Sequence, residues 1–326
     1  MNGREEQELK IREKIERNLE GKPEYVRGYI NYMNDTSVRT KDVYLNIVLK
    51  FVDTITKDPS EYTFDDFNNY LSTIKYKENG EEKGKSNQIV VYSALKKYNE
   101  YLYKSKRTSE YFMRDINKPK YIESQKTIEK RNIGYLNEKE ISKMYKCSTK
   151  DTSKLRKLDT RIKKRNKAII YLFLSTGLRC SELTAINVDD FNYEKRTLTI
   201  TGKRGKVRVF ELSEEVAWVV DEWLVQRALR FTSWSDALFL SQRNERMCST
   251  DISYIIKQIG QYVTDKPMSP HKLRATYGTQ LYNETHDIYF VQECMGHDDP
   301  KTTELYVRGT KENTKKASKI MTKFMK

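Results

Sequence analysis

The stretch AIIYLFLSTGLRCSEL, residues 168–183, passes from an apolar run to a glycine, an arginine and a glutamate. The apolar run indicates a buried helix, and Gly177 is the residue type that commonly ends one. The run is far shorter than the ~20 residues that a membrane-spanning helix needs. Arg179 follows directly. It could serve a helix C-terminus, where cations are favoured, with Glu182 as its ion-pair partner, or it could bind an anion.

The length and charge of the chain indicate which class of protein it belongs to. At 326 residues it is long enough for two domains. A mean hydropathy of −0.82 indicates a soluble protein with a polar surface. Lys and Arg number 61 against 46 Asp and Glu, which gives a net charge of +15. This surplus favours a polyanionic partner, with nucleic acid ahead of an anionic membrane surface.

The sequence lacks the motifs of several classes of protein: secreted, zinc-binding, disulfide-bonded and nucleotide-binding. The N-terminal MNGREEQELKIREK has no apolar core and is no signal peptide. The cysteines form no C-x-x-C pair, so a zinc site and a disulfide framework are not expected and a reducing cytoplasm fits; they are Cys147, Cys180, Cys248 and Cys294. No G-x-x-x-x-G-K-[ST] phosphate loop occurs. We therefore expect a cytoplasmic protein that uses neither a metal nor a nucleotide cofactor.

The first part of the chain reads as helical. Residues 1–22 form a charged helical leader, either an interaction arm or a solvated segment. Residues 23–116 show helical periodicity throughout, including an apolar face over 38–55 and a capping pattern at Thr63, and predict a compact all-helical domain. Residues 117–135 lose this periodicity and predict a linker.

A second domain is predicted from residue 136 to 326. It starts with a capping box at Asn137 and Glu140. The segment TLTITGKRGKVRVFEL, 197–212, changes to a strand pattern around a glycine-containing turn and predicts a β-hairpin. A C-terminal helix over 310–326 carries an apolar stripe that must be buried somewhere: Ala317, Ile320, Met321, Phe324 and Met325. The fold class is therefore mainly α with a small antiparallel β-sheet.

Four stretches stand out for their chemistry: STGLRCSEL (175–183), TGKRGK (201–206), SPHKLRATYGT (269–279) and GHDDPKTTELY (296–306). In this order they resemble the sequence boxes of the tyrosine recombinase, or phage integrase, family, which includes the Xer-type site-specific recombinases. One box alone is weak evidence, because H-x-x-R is common by chance. Four boxes in order form a specific signal. The resemblance covers 136–326; over 23–116 it is only an agreement in helical character with the family's DNA-binding (core-binding) domain.

The resemblance implies a set of catalytic residues. Arg179 and Arg274 would be the arginine pair, Lys203 the hairpin lysine, His271 and His297 the assisting histidines, and Tyr306 the nucleophile. Arg204 and Lys206 share the turn with Lys203, and either could be the cation that reaches the substrate. The spacings agree with the family as well: 24 residues separate Arg179 from Lys203, 23 separate Arg274 from His297, and nine separate His297 from Tyr306.

The residue types suit metal-independent cleavage of DNA. A phenol, with a pKa of about 10, is both a nucleophile and a competent leaving group. Two permanently charged, planar guanidiniums can bind the phosphate oxygens in bidentate fashion as negative charge develops. The chemistry of these residues thus agrees with a reaction through a 3′-phosphotyrosine intermediate.

The resemblance also implies partners and an architecture. Two domains would form a clamp around double-stranded DNA carrying a specific recombination site. Four protomers on two DNA sites would form the working tetramer, with the C-terminal helix docked on its own domain or exchanged with a neighbour. The short segment before the first domain favours an Xer-like or mobile-element recombinase. Two alternatives stay open: a type IB topoisomerase-like enzyme that relaxes DNA, and a catalytically silent DNA-binding protein.

Overall fold

The computed structural model describes residues 3–75, 85–120, 135–150, 159–202, 205–230 and 235–296. The chain divides into two compact units. One spans Glu5–Ser124, and the other comprises Gln125–Lys326 together with Met1–Arg4. The boundary between them falls inside the segment 117–135 that the sequence marks as a linker. None of the described helices is long and apolar enough to cross a membrane.

The N-terminal unit is built from helices. They are α1 (Gly3–Leu19), α2 (Glu24–Tyr32), α3 (Val38–Ile55), α4 (Phe64–Thr73) and α5 (Lys85–Lys104), with short 3₁₀ turns at Pro59–Glu61 and Phe112–Arg114. Ile15 and Leu19 of α1 are buried in the core of this unit. Helix α1 therefore contributes to the packing of the unit, whereas the sequence analysis treated residues 1–22 as a separate leader.

Aromatic rings fill the core of the N-terminal unit. Phe51 stacks on Phe67 with ring centroids 4.8 Å apart, and Tyr29 meets Tyr98 edge-on at 5.2 Å. Helix α3 contributes Phe51 together with the buried Leu45 and Val48, whereas Val43, which the sequence suggested for the apolar face, is 41% exposed. The helical period was predicted correctly, and the predicted face included the buried Val48 and Phe51 but not Leu45.

Both predicted capping boxes are present. The Thr63 hydroxyl accepts a hydrogen bond from the Asp66 amide, and the Asp66 carboxylate accepts one from the Thr63 amide at 2.8 Å. Asn137 and Glu140 exchange the same pair of bonds, each at 2.9 Å. These bonds satisfy amides that a helix start otherwise leaves unpaired, which explains why α4 and the first helix of the second unit begin where they do.

The C-terminal unit combines helices with one small sheet. Its helices are α6 (Glu138–Cys147), α7 (Thr160–Thr176), α8 (Cys180–Ala185), α9 (Glu214–Arg230), α10 (Ser249–Gly260), α11 (Pro270–Thr285) and α12 (Ile288–Met295). Strands β1 (Phe191–Asn192), β2 (Thr197–Thr201) and β3 (Val207–Glu211) form an antiparallel sheet in that order, after a 3₁₀ turn at Val188–Asp190. The predicted hairpin and the mainly α fold class are confirmed.

Helix α7 lies at the centre of the C-terminal unit. It packs against α9 and α11, and its residues from Ala168 to Phe173 are buried with the exception of the partly buried Tyr171. Trp223 of α9 completes this core and donates its indole N–H to the Leu238 carbonyl at 2.9 Å. Helix α7 ends at Gly177, which has the left-handed φ of +60°. This ending turns the chain toward Arg179 and brings it next to α11.

Candidate active site

Arg274 is a buried arginine that joins the ends of two helices. It lies in the second turn of α11, which Ser269 caps and Pro270 starts, and it is 5% exposed. Its Nη1 donates to the Gly177 carbonyl at 2.5 Å, and its Nη2 donates to the Met295 carbonyl at 2.7 Å. One guanidinium therefore connects the C-terminal end of α7 to the C-terminal end of α12.

Arg179 approaches the same place from another part of the chain. It directly precedes α8, and its Nη2 donates to the Gly296 carbonyl at 3.2 Å. This acceptor is the next carbonyl after the one that Arg274 binds. Two arginines that are 95 residues apart in sequence thus meet at consecutive peptide units. The side chain of Arg179 is 43% exposed and accessible to solvent, whereas Arg274 is enclosed.

Helix ends explain why the two guanidiniums are held at this place. The last carbonyls of a helix have no partner within the helix, and the helix dipole gives that end partial negative charge. Gly177 and Gly296 are the left-handed residues that end α7 and α12, and Met295 is the last residue of α12. Positive side chains are therefore favoured at this point.

Glu182 holds Arg179 in place, as the sequence spacing suggested. Its carboxylate is 8% exposed and accepts two bonds from Arg179, one from the main-chain amide at 2.8 Å and one from Nη1 at 2.9 Å. A buried carboxylate with two bonds to one residue restricts both the backbone and the side chain of that residue. The described residues contain no group of three or more His, Cys, Asp or Glu side chains arranged to bind a metal ion.

The structure describes some of the predicted site residues and not others. His271 is exposed in the first turn of α11, three residues before Arg274 and therefore on the same side of the helix. Lys203, His297 and Tyr306 lie outside the described residues, so their roles stay predictions. The turn that carries Lys203 connects β2 to β3 directly after their last pair, Thr201 and Val207.

Arg208 is a third arginine of this cluster, and the sequence analysis missed it. It lies on β3, and its Nη2 donates to Oε1 of Glu182 at 3.0 Å. It pairs across the hairpin with Ile200, which is buried, so its side chain shares the inward face of the sheet. The sequence did contain a signal for this residue. Side chains alternate between the two faces of β3, and Arg208, between two outward valines, falls on the inward face, where an apolar residue is expected.

Tyr277 is a second residue that the sequence analysis did not single out. It follows Arg274 by three residues on α11, and its ring lies so close to Gly177 that a methyl group there would overlap it. Burial raises the pKa of Tyr277 to about 12, although the positive charges of Arg274 and Arg208 oppose the shift. The Tyr277 phenol therefore stays protonated at neutral pH and serves packing around the arginines.

Gly296 is required by both backbone geometry and space. Its φ is +59°, and a Cβ at this position would overlap Nη1 of Arg208. We expect Gly296→Ala to lower the free energy of unfolding by more than the roughly 1–2 kcal/mol that a left-handed non-glycine residue costs. We also expect it to displace Arg208 or the turn. Chemical denaturation, followed by circular dichroism, measures the change in unfolding free energy.

Gly205→Ala is the matched control for this substitution. Gly205 has a φ of +75° in the same unit, but none of the residues that the structure describes lies within 4 Å of where its Cβ would be. It therefore reports the cost of the backbone conformation without the overlap. Equal losses of stability in the two variants would mean that Gly296 is not held closely against Arg208.

Sequence comparison identifies the family to which these features belong. The family model described as "Phage integrase family" matches residues 134–313, more than half of the chain. The chain belongs to the phage integrase family. The match includes the two arginines, Glu182, the hairpin and Tyr306. The family resemblance predicted from the four sequence boxes is confirmed.

Curated relatives of this integrase-family chain include tyrosine recombinases. The tyrosine recombinase XerC of Pseudomonas fluorescens strain Pf0-1 is 34% identical over 148 residues, which are 45% of this chain and 49% of that protein. XerC of Mannheimia succiniciproducens is 35% identical over 143 residues, 44% of this chain and 48% of that protein. The chain thus spans about half the length of the curated relatives it matches.

Solved structures share the fold of this family member. The site-specific recombinase XerH, bound to a palindromic difH substrate in a post-cleavage complex, superposes with a TM-score of 0.63 at 22% identity, covering 87% of this chain and 79% of XerH. The Tn1549 transposon integrase in complex with circular intermediate DNA gives a TM-score of 0.61 at 16% identity, covering 90% and 98%. At these identities the likeness concerns the fold alone.

Proposed function

We propose that this protein is a site-specific DNA recombinase that cuts and rejoins duplex DNA by transesterification through a 3′-phosphotyrosine intermediate. The observation that supports this most is the meeting of Arg179 and Arg274 at the carbonyls of 295 and 296. Those carbonyls directly precede His297 and lie about ten residues before Tyr306. Membership of the phage integrase family supports the same reaction.

The arginines supply the positive charge that the reaction needs. As the nucleophile attacks, negative charge grows on the non-bridging oxygens of the phosphate. Arg179 and Arg274 present guanidiniums that are already oriented by Glu182 and by the ends of α7 and α12. Preorganised donors of this kind stabilise a transition state without having to reorganise. We therefore assign these two residues to binding the scissile phosphate.

Proton transfers complete the reaction. The Tyr306 phenol oxygen forms a bond to phosphorus as the bond from phosphorus to the 5′ oxygen breaks. The phenol proton passes to a base, for which His271 is suited, and Lys203 gives a proton to the leaving 5′ oxygen. His297 binds a phosphate oxygen. Because the phosphotyrosine ester preserves the energy of the phosphodiester, a 5′ hydroxyl can reverse the reaction on a partner duplex without ATP.

The proposed partner is double-stranded DNA with a specific recombination site. The net charge of +15 supports a polyanionic ligand. Exposed basic residues on the α5 side of the N-terminal unit supply charge for backbone contacts: Lys96, Lys104, Lys106 and Arg107. We further propose a tetramer on two DNA sites, with the C-terminal helix 310–326 exchanged between neighbours, acting in the cytoplasm as an Xer-like or mobile-element recombinase.

Covalent trapping tests the proposed function. A cognate duplex is first selected from a random-sequence pool by repeated binding to the protein, and a set of versions is made with a nick at each successive position. A nick next to the cleavage point lets the short 5′-hydroxyl fragment diffuse away, so the covalent complex accumulates. We expect a protein–DNA band on a denaturing gel, also in excess chelator, because guanidiniums and not a metal ion supply the charge.

The position of the label and the products distinguish the alternatives. The band must retain a label on the strand segment 5′ of the break, because that segment carries the 3′-phosphotyrosine. Relaxation of supercoiled plasmid without recombinant products would indicate a topoisomerase-like enzyme. Tight binding with no covalent band on any nicked duplex would indicate a catalytically silent DNA-binding protein and overturn the proposal.

A further inference from the structure

Arg208 shares a single buried carboxylate oxygen with Arg179. Oε1 of Glu182 accepts a hydrogen bond from Nη1 of Arg179 at 2.9 Å and from Nη2 of Arg208 at 3.0 Å. The Glu182 side chain is 8% exposed and the Arg208 side chain 16% exposed, so water screens the charges of this pair weakly, whereas Arg179 is 43% exposed. Arg179, Glu182 and Arg208 therefore form one compact triad.

The net charge of the triad depends on Arg208. A pair consisting of Arg179 and Glu182 alone is neutral overall, and a neutral pair attracts a phosphate weakly. With Arg208 the three groups carry +1, so Glu182 can orient Arg179 while the positive charge of Arg179 remains available to an anion. Arg208 thus offsets the electrostatic disadvantage of placing a carboxylate next to a phosphate-binding arginine.

The second terminal nitrogen of Arg208, Nη1, also supports a role for its charge. Within the part of the chain that the structure describes, its Nη1 is buried and has no hydrogen-bond partner. This nitrogen lies against Gly296, whose carbonyl binds Arg179. A buried guanidinium nitrogen without an acceptor needs an explanation, since such groups are rare in folded proteins. An arginine kept here for its charge, and not for a complete set of hydrogen bonds, provides one.

We propose that Arg208 is a positioning residue for the strand-transfer reaction, one that neutralises Glu182 and so leaves the positive charge of Arg179 available to the scissile phosphate. Its position on β3 also joins the hairpin that carries Lys203 to the carboxylate that holds Arg179. The inference rests on the proposed function, because it assigns the reacting phosphate to Arg179.

Charge-balanced variants test the proposal with the nicked duplexes described above. Arg208→Gln leaves the triad neutral, and we expect single-turnover cleavage to slow by about ten- to a hundredfold, the usual worth of a hydrogen bond to a charged group. Arg208→Lys keeps the charge and should remain within about threefold of wild type, because the proposed role depends on charge and not on the planar guanidinium. Glu182→Gln combined with Arg208→Gln restores the net charge of +1 and should cleave faster than Arg208→Gln alone.

A purely structural role for Arg208 gives the opposite order. The double variant would then be no faster than Arg208→Gln, and Arg208→Lys would be as slow as Arg208→Gln; either result overturns the proposal.

If Arg208→Gln does not fold, the comparison moves to the Glu182→Gln background. In that background, Arg208→Gln should slow single-turnover cleavage by less than about threefold, because no carboxylate is left to neutralise. A loss of tenfold or more in that background overturns the proposal. Arg243→Gln, which removes an exposed arginine of the same unit, controls for total charge.

A second measurement does not require DNA cleavage. The DNA-free protein is titrated with inorganic phosphate while the Nε–H signal of Arg179 is followed by nuclear magnetic resonance, the signal being assigned by its loss in Arg179→Lys. We expect weaker binding in Arg208→Gln and recovery in the double variant. If wild type forms no covalent band but phosphate binding follows this order, the proposed function fails and the charge role of Arg208 stands. If wild type cleaves DNA and the order is absent, the charge role fails.

Discussion

Tyr306→Phe is expected to abolish the covalent protein–DNA complex completely while leaving DNA binding unchanged. The substitution removes one oxygen atom, the atom proposed to form the bond to phosphorus, and preserves the ring. No other group can form a phosphotyrosine at that position, so the expected loss has no residual rate. The measurement is the covalent band on the nicked duplex, paired with equilibrium binding to the intact duplex by gel shift.

Two further tyrosine variants make this result specific. Tyr193→Phe changes a tyrosine that is 46% exposed in the same unit, and it should form the band at the wild-type rate. Tyr277→Phe changes the phenol beside Arg274 and Arg208. A band that persists in Tyr306→Phe and disappears in Tyr277→Phe would assign the nucleophile to Tyr277 and refute the role of Tyr306.

Arg274→Gln is expected to slow cleavage by about a hundred- to a thousandfold, the loss typical of removing one preorganised donor from a transition state. It also removes both donors that connect Gly177 to Met295. Leaving those carbonyls unpaired should lower the free energy of unfolding by about 1–3 kcal/mol. Single-turnover cleavage and denaturant unfolding measure the two effects separately. A rate within threefold of wild type would remove Arg274 from the proposed site.

Arg274→Lys shows which property of the side chain matters. Lysine keeps the charge, but its single ammonium cannot present the planar pair of nitrogens that reaches Gly177 and Met295 at once. We expect a rate closer to that of the glutamine variant than to wild type. Arg243→Lys, at an exposed position, is the control and should change neither rate nor stability.

Much of the fold followed from local chemistry. The capping boxes at Thr63 and Asn137 depend only on side chains three residues apart, and the hairpin depends on a strand pattern around a glycine-containing turn, so the sequence was sufficient for both. The rotation of α3 was not predictable in the same way. Its apolar residues cover a wide face, and only packing against the aromatic core decides that Leu45 is buried and Val43 exposed.

The candidate site was predictable where it has a sequence motif. Arg179 and Arg274 belong to recognisable boxes, and Glu182 follows Arg179 at helical spacing. Arg208 and Tyr277 are different, because their roles arise from contacts between segments that are distant in sequence: a strand meets the start of α8, and a ring covers the end of α7. A sequence contains no local signal for such contacts apart from the inward arginine on β3.

The helix ends that hold Arg179 and Arg274 have a consequence for how tightly the proposed site can bind a phosphate. Both long side chains are immobilised when the chain folds, because the carbonyls of 177, 295 and 296 already engage them. The rotamer entropy of these side chains is therefore lost during folding and not during complex formation. This entropy loss lowers the stability of the free protein. It does not reduce the electrostatic attraction between the two ordered cations and the substrate.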